Sequence, residues 1–172
     1  DGITSHCYHS TTFKTGSKGD GPFPGVVEVH GGAWTGNDRL TNVDIDQALA
    51  ASGVVVIAVD FRMPPAAQYP EPVADINFAI RWLRANAERF DVDPAKIGLL
   101  GTSSGGHQGL LATMRPTDSR YMAHGDAGTD DASIASADST RAIGLIIDFV
   151  RAQTARADLD LIESFGIPLV GN

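Results

Sequence analysis

The chain has 172 residues, an apolar fraction of 42% and a formal charge of −8. That length suits one domain with a real core, and the acidic balance argues against nucleic acid or an anionic membrane as partner, since either would meet net repulsion. The lone cysteine, Cys7, excludes an internal disulfide, the first residues carry no basic-then-apolar leader, and no apolar run is long enough to span a bilayer, so the expectation is a soluble, cytoplasmic protein.

Residues 6–14 read as an extended edge segment. Residues 15–25, TGSKGDGPFPG, hold four glycines and two prolines and predict turns. VVEVH (26–30) is a short β-branched apolar run and predicts a buried strand, which ends in HGGAW. Residues 41–52 allow a short helix with Ile45, Ala48 and Leu49 on one side. VVVIAVD (54–60) is nearly all apolar, as a parallel strand covered on both faces should be. The clearest helix covers 72–90, where Val73, Ile76, Ile80, Leu83, Ala87 and Phe90 share one face. Pro72 suits its first turn, and its acids and arginines lie toward the matching ends of the dipole. DVDP (91–94) predicts a turn, KIGLLG (96–101) a strand and 104–114 a helix. Residues 115–141, with five aspartates, four serines and no apolar periodicity, read as a long, mobile polar excursion. AIGLIIDFV (142–150) returns to a buried-strand pattern, and 151–165 can be helical. The alternation of strand and helix predicts an α/β fold, a mostly parallel sheet with helices on both faces. Ligands of such sheets bind beyond the carboxyl ends of the strands, where both glycine-rich motifs lie.

The second of these motifs, Gly101-Thr102-Ser103-Ser104-Gly105, matches G-x-S-x-G. It follows an apolar strand and opens a helix, the setting in which such a serine is displayed on a strained turn. The flanking glycines single out Ser103 as the nucleophile. The N–H of Ser104, at the helix N-terminus, is placed to stabilise negative charge beside it. His30-Gly31-Gly32-Ala33-Trp34 ends the earlier strand. Glycines there let backbone N–H groups approach a substrate, and acyl transfer needs such donors at the developing oxyanion.

Together HGGAW, DFRMPPAAQYP (60–70), the amphipathic helix and DPAKIGLLGTSSGGH resemble the α/β-hydrolase superfamily, most of all the esterases and lipases related to hormone-sensitive lipase. The likeness runs from about Pro22 to Met114, with the strand at 142–150 as an extension. It implies a serine hydrolase that cleaves small-molecule carboxylic esters through an acyl-enzyme on Ser103. It also implies an oxyanion hole of the Gly32, Ala33 and Ser104 amides, a loop shaped by Gly31, and supporting roles for His30 and Trp34. Arg62 is structural by the same resemblance. The group often has Asp-Ser-Ala at the elbow, where this chain has Thr102-Ser103-Ser104, and glycine where Ala33 stands.

The superfamily orders its triad serine, acid, histidine. By resemblance the acid and base follow strands beyond 142–150, so they are expected past Asn172, in a C-terminal part that this single domain lacks. His107, four residues past Ser103 on the same helix, reads as a packing residue, and His124 has the wrong chain position for the base. Asp148, Asp158 and Asp160 read as solvated or locally bonded carboxylates. Loss of the base costs a triad on the order of 10⁶ in kcat. Three alternatives stay open. The chain is the first part of a longer esterase, it is completed by a second polypeptide, or it is a truncated relative that binds an acyl ligand without turnover. The strand at 142–150 leaves an apolar edge for an oligomer or a second chain to cover. No cofactor is expected. No metal is expected either, because in HCYH (6–9) only Cys7 and His9 share a strand face and no second ligand cluster follows.

Overall fold

The computed structural model describes residues 9–14, 21–122 and 125–135. In chain order the elements are β1 (Ser10–Phe13), β2 (Phe23–Val29), α1 (Val43–Ala51), β3 (Val55–Val59), α2 (Glu71–Ala85), α3 (Ala87–Phe90), β4 (Val92–Gly101) and α4 (Ser104–Met114). The four strands form one sheet in the order β1-β3-β2-β4. β2 runs parallel to both β3 and β4, and β1 is an antiparallel edge on β3.

The expected layers are present. Alternate residues of β2 and β3 face opposite sides, and both sides are buried. On one side Val27, Val29, Ile57 and Val59 pack with Ile76, Ile80 and Leu83 of α2, Ile97 and Leu99 of β4, and Ala112 of α4. On the other, Val26, Val54 and Val56 pack with Leu49, and Ile45 lies against them. The sheet is therefore covered by α1 on one face and by α2 and α4 on the other. This burial is why two strands read as unbroken apolar runs.

Register places the functional ends together. Val29 pairs with both Val59 of β3 and Gly101 of β4. The loops after β2, β3 and β4 thus leave the sheet at one level. HGGAW and the serine turn are next-door neighbours for that reason, although about 70 residues separate them in sequence.

Three expectations change. Residues 92–94 of DVDP are strand, because β4 begins at Val92, and the turn narrows to Asp91, whose φ is 59°. The helix expected over 72–90 divides into α2 and α3 at Asn86. There the side-chain Nδ2 and the backbone N–H of Asn86 both donate to the Trp82 carbonyl, a local bond that competes with the continuing helix. The described part of the excursion, 115–122 and 125–135, packs down on the domain. Tyr121, Ala127 and Ala132 are buried, and Arg84 donates to the carbonyls of Pro94, Asp131 and Ser133. Apolar periodicity misses such a segment because single side chains anchor it. The Ala135 N–H donates to the Ile97 carbonyl at 2.9 Å, on β4. The strand expected at 142–150 and the helix at 151–165 lie outside the described residues, as do Cys7, His124 and the acids from Asp148 on.

Candidate active site

Ser103 sits between the end of β4 and the start of α4 with φ 49° and ψ −120°. Few non-glycine residues adopt positive φ, and those that do cluster at functional turns. Ser103 is exposed, and its hydroxyl makes no capping bond to α4. The turn closes because its neighbours lack side chains. A Cβ on Gly105 would lie 2.2 Å from the Val29 carbonyl oxygen and 2.3 Å from that of His30. A Cβ on Gly101 would lie 2.6 Å from the Gly106 Cα. Both clashes are with backbone, so neither can be relieved by a rotamer. The serine is thus held with the N-terminus of α4 beneath it and no acidic residue in that helix's first turn.

The loop after β2 lies against this turn. A Cβ on Gly31 would stand 3.1 Å from the Ser103 Cβ and 3.0 Å from the Thr102 carbonyl oxygen. The Gly31 N–H donates to Thr102 Oγ1 at 2.9 Å. Gly32 has φ 141°, and its carbonyl accepts the N–H groups of Thr35 and Gly36 at 3.1 and 3.0 Å, which curls the loop into a tight turn. Ala33 and Trp34 both have positive φ, 51° and 65°. The first value gives a conformational reason for glycine at that position. Trp34 is 48% exposed and meets His107 of α4 edge to face, with ring centroids 5.9 Å apart. Gly31, Gly32, Ala33, Trp34, Ser103 and Ser104 are thus gathered at one sheet end, with Ser104 buried behind Ser103.

Of the described histidines, His30 and His107 lie at this end of the sheet. His30 is fully buried, stacked on Phe61 at 4.5 Å, and its Nδ1–H donates to the Gly31 carbonyl at 2.7 Å. It supports the loop from below. His107, which reads from the sequence as a packing residue, packs edge to face on Trp34 while remaining exposed. Arg62 chelates Asp75, with Nη2 to Oδ1 at 2.7 Å and Nε to Oδ2 at 3.0 Å, and reaches Glu71 at 2.7 Å. That is the structural post expected of it. Among the described residues no cluster of three or more His, Cys, Asp or Glu side chains could hold a metal ion, and no helix is long and apolar enough to cross a membrane.

Behind the site lies a polar group that reasoning from the sequence passes over. Glu28 of β2 and Asp46 of α1 are both fully buried. Burial pushes the Glu28 carboxyl up to about 8; the Asn42 hydrogen bond opposes this and the charge of Asp46 adds to it. Burial likewise pushes Asp46 up to about 7. The available signal was one acid inside the apolar run VVEVH, at a position that faces α1 with Val26.

A family model described as BD-FAE matches residues 13–158, most of the chain. The chain belongs to the BD-FAE family. The BD-FAE chain is 36% identical over 110 residues to esterase LipC of Mycobacterium tuberculosis, an alignment covering 63% of this chain and 27% of that protein. It is 35% identical to carboxylesterase NlhH of the same species, over 49% of this chain and 27% of the relative. The chain spans about a quarter of the length of the curated relatives it matches. Among solved structures, the butyrate-bound esterase Est2 of Thermogutta terrifontis superposes with a TM-score of 0.65 at 24% identity, over 78% of this chain and 48% of that one. A bacterial heroin esterase superposes with a TM-score of 0.57 at 23% identity, over 63% and 39%. At that identity these structures speak for the fold, and the BD-FAE chain has the α/β-hydrolase arrangement.

Proposed function

We propose that the protein is a serine hydrolase that cleaves small-molecule carboxylic esters, with Ser103 as nucleophile. The observation that carries the reading is the positive-φ elbow at Ser103, set against the Gly31–Gly32–Ala33 loop by strand register. The esterase names of its relatives agree with it.

The Ser103 Oγ attacks the acyl carbonyl carbon as a base accepts its proton. The carbonyl oxygen gains the negative charge and is held by the amides of Gly32, Ala33 and Ser104. The C–O bond to the alcohol then breaks, the alcohol leaves with a proton, and the acyl group stays on Ser103. Water attacks this ester in the same way and releases the acid. By the superfamily's order of serine, acid and histidine, the reading assigns acid and base to residues outside those described. His107, whose backbone N–H donates to the Ser103 carbonyl at 3.2 Å, meets Trp34 edge to face, and the reading assigns this pair to a wall of the acyl or alcohol site. The lone Cys7 suits a reducing compartment, and the cytoplasm is the proposed location.

The test is labelling by a fluorophosphonate probe and turnover of p-nitrophenyl acetate, beside Ser103→Ala. Both signals are expected to vanish in the variant. Turnover that survives in Ser103→Ala, or a full-length wild type that carries the acid and the histidine and yet shows neither signal, would rule the reading out.

A further inference from the structure

Asn42 stands at the N-cap of α1 but gives the helix no side-chain bond. An asparagine there ordinarily turns its oxygen toward the helix N–H groups, a bond worth about 1 kcal/mol. Here the side-chain amide is engaged elsewhere. Its Nδ2 donates to Glu28 Oε1 at 2.6 Å and to Thr102 Oγ1 at 3.0 Å. Thr102 Oγ1 also accepts the Gly31 N–H at 2.9 Å. The Thr102 N–H donates to the Val29 carbonyl at 3.1 Å, and its own carbonyl accepts the Gly105 N–H at 2.8 Å. One residue therefore ties together the end of β2, the loop beyond it, the first turn of α4 and, through Asn42, the start of α1.

We propose that Asn42 and Thr102 are positioning residues for ester cleavage, holding the loop of Gly32 and Ala33 in register with the elbow of Ser103 and Ser104 through the Gly31 N–H. The inference rests on the reading of Ser103 as nucleophile. Its physical basis is that the oxyanion donors come from two separate loops. Productive geometry tolerates errors of only about 0.5 Å, so the loops need a cross-link that does not depend on substrate. Thr102 Oγ1 is that cross-link. Asn42 orients it, and Glu28 Oε1, which accepts from the same Nδ2 at 2.6 Å, holds Asn42 in place. Neither Asn42 nor Thr102 reaches the reacting atoms. Both act through the backbone of Gly31.

The experiment measures kcat, KM and thermal midpoint on p-nitrophenyl acetate for the full-length protein and four variants. Thr102→Val keeps the shape and removes Oγ1; Thr102→Ser restores the hydroxyl. Asn42→Ser keeps a helix-capping oxygen but is too short to reach Thr102, and Ser103→Ala reports the nucleophile. The expected result for Thr102→Val is a kcat at least about 10-fold lower with KM within about two-fold, the pattern of an interaction that matters in the transition state. Thr102→Ser restores kcat. Asn42→Ser lowers kcat with little change in thermal midpoint, which a simple capping role would not produce. Wild-type kcat in Thr102→Val, or equal losses in the valine and serine variants, overturns the positioning role while leaving the ester reading intact. Turnover that is absent from the wild type, or persists in Ser103→Ala, overturns the ester reading and this inference with it.

Discussion

Ser103 holds a backbone conformation that costs on the order of 1–3 kcal/mol and persists only because its surroundings leave no alternative. Those surroundings are glycines whose hydrogens face backbone atoms. Gly105→Ala would drive a methyl into the carbonyl oxygens of Val29 and His30, at 2.2 and 2.3 Å. The expected result is a loss of about 3 kcal/mol or more in urea unfolding, together with loss of probe labelling. Two glycines of the neighbouring loop provide a contrast. A methyl on Gly32 would lie 2.0 Å from the Gly36 carbonyl oxygen, at a φ of 141° that disfavours any side chain. On Gly36 it would meet only the Gly32 carbonyl oxygen, at 3.7 Å, an ordinary contact. Gly32→Ala is expected to lower kcat by about 10²-fold, the scale of one lost oxyanion donor. Gly36→Ala is expected to stay within about 0.5 kcal/mol of wild-type stability. Equal tolerance of the two variants would show that the tight turn does not shape catalysis.

Helix α2 shows how one element meets two demands. Its apolar face packs on the sheet, and its first turns also bury Asp75, whose side chain is 1% exposed. That carboxylate is held by the Arg62 guanidinium and by the Arg62 N–H at 2.8 Å, from the segment that follows β3. The pair fixes the loop after β3 to α2, at the same sheet end as the serine. Arg62→Ala would leave a buried carboxylate without its cation. The expected destabilisation is about 3 kcal/mol, read as a shift in the urea midpoint, because a buried carboxylate that loses its guanidinium keeps a poorly compensated charge. A shift of only a few tenths would place Arg62 with ordinary surface pairs.

At the scale of the molecule, the buried pair Glu28 and Asp46 ties stability to pH. Glu28 rises from its usual 4.5 to about 8, and Asp46 from 3.8 to about 7. In the unfolded chain both ionise near pH 4. In the folded protein they keep their protons to near neutrality. Between those limits the native state binds more protons, so these two groups lower stability as pH rises from about 4 to about 8. Glu28→Gln and Asp46→Asn each remove one such proton. Each variant should flatten the decline in thermal midpoint between pH 5 and pH 8 relative to wild type. Profiles that run parallel to wild type would mean that the acids are solvated in the folded protein.

The sequence by itself determined the layer order, the identity of the two strand-end motifs and the serine in register between its glycines. Those features are local: apolar periodicity follows the helix and strand repeats, and a tight turn admits few residue types. Tertiary structure decided the rest. Strand order set HGGAW beside the elbow, because Val29 and Gly101 pair only once β2 and β4 lie next to each other. It put His107 at the surface against Trp34 and buried Tyr121, Ala127 and Ala132 in the described part of the polar excursion. It also joined Glu28, Asn42 and Thr102, which are 14 and 60 residues apart in the chain and share no motif. A hydrogen bond between distant residues has no period along a sequence; it exists only when the packed layers bring donor and acceptor within about 3 Å.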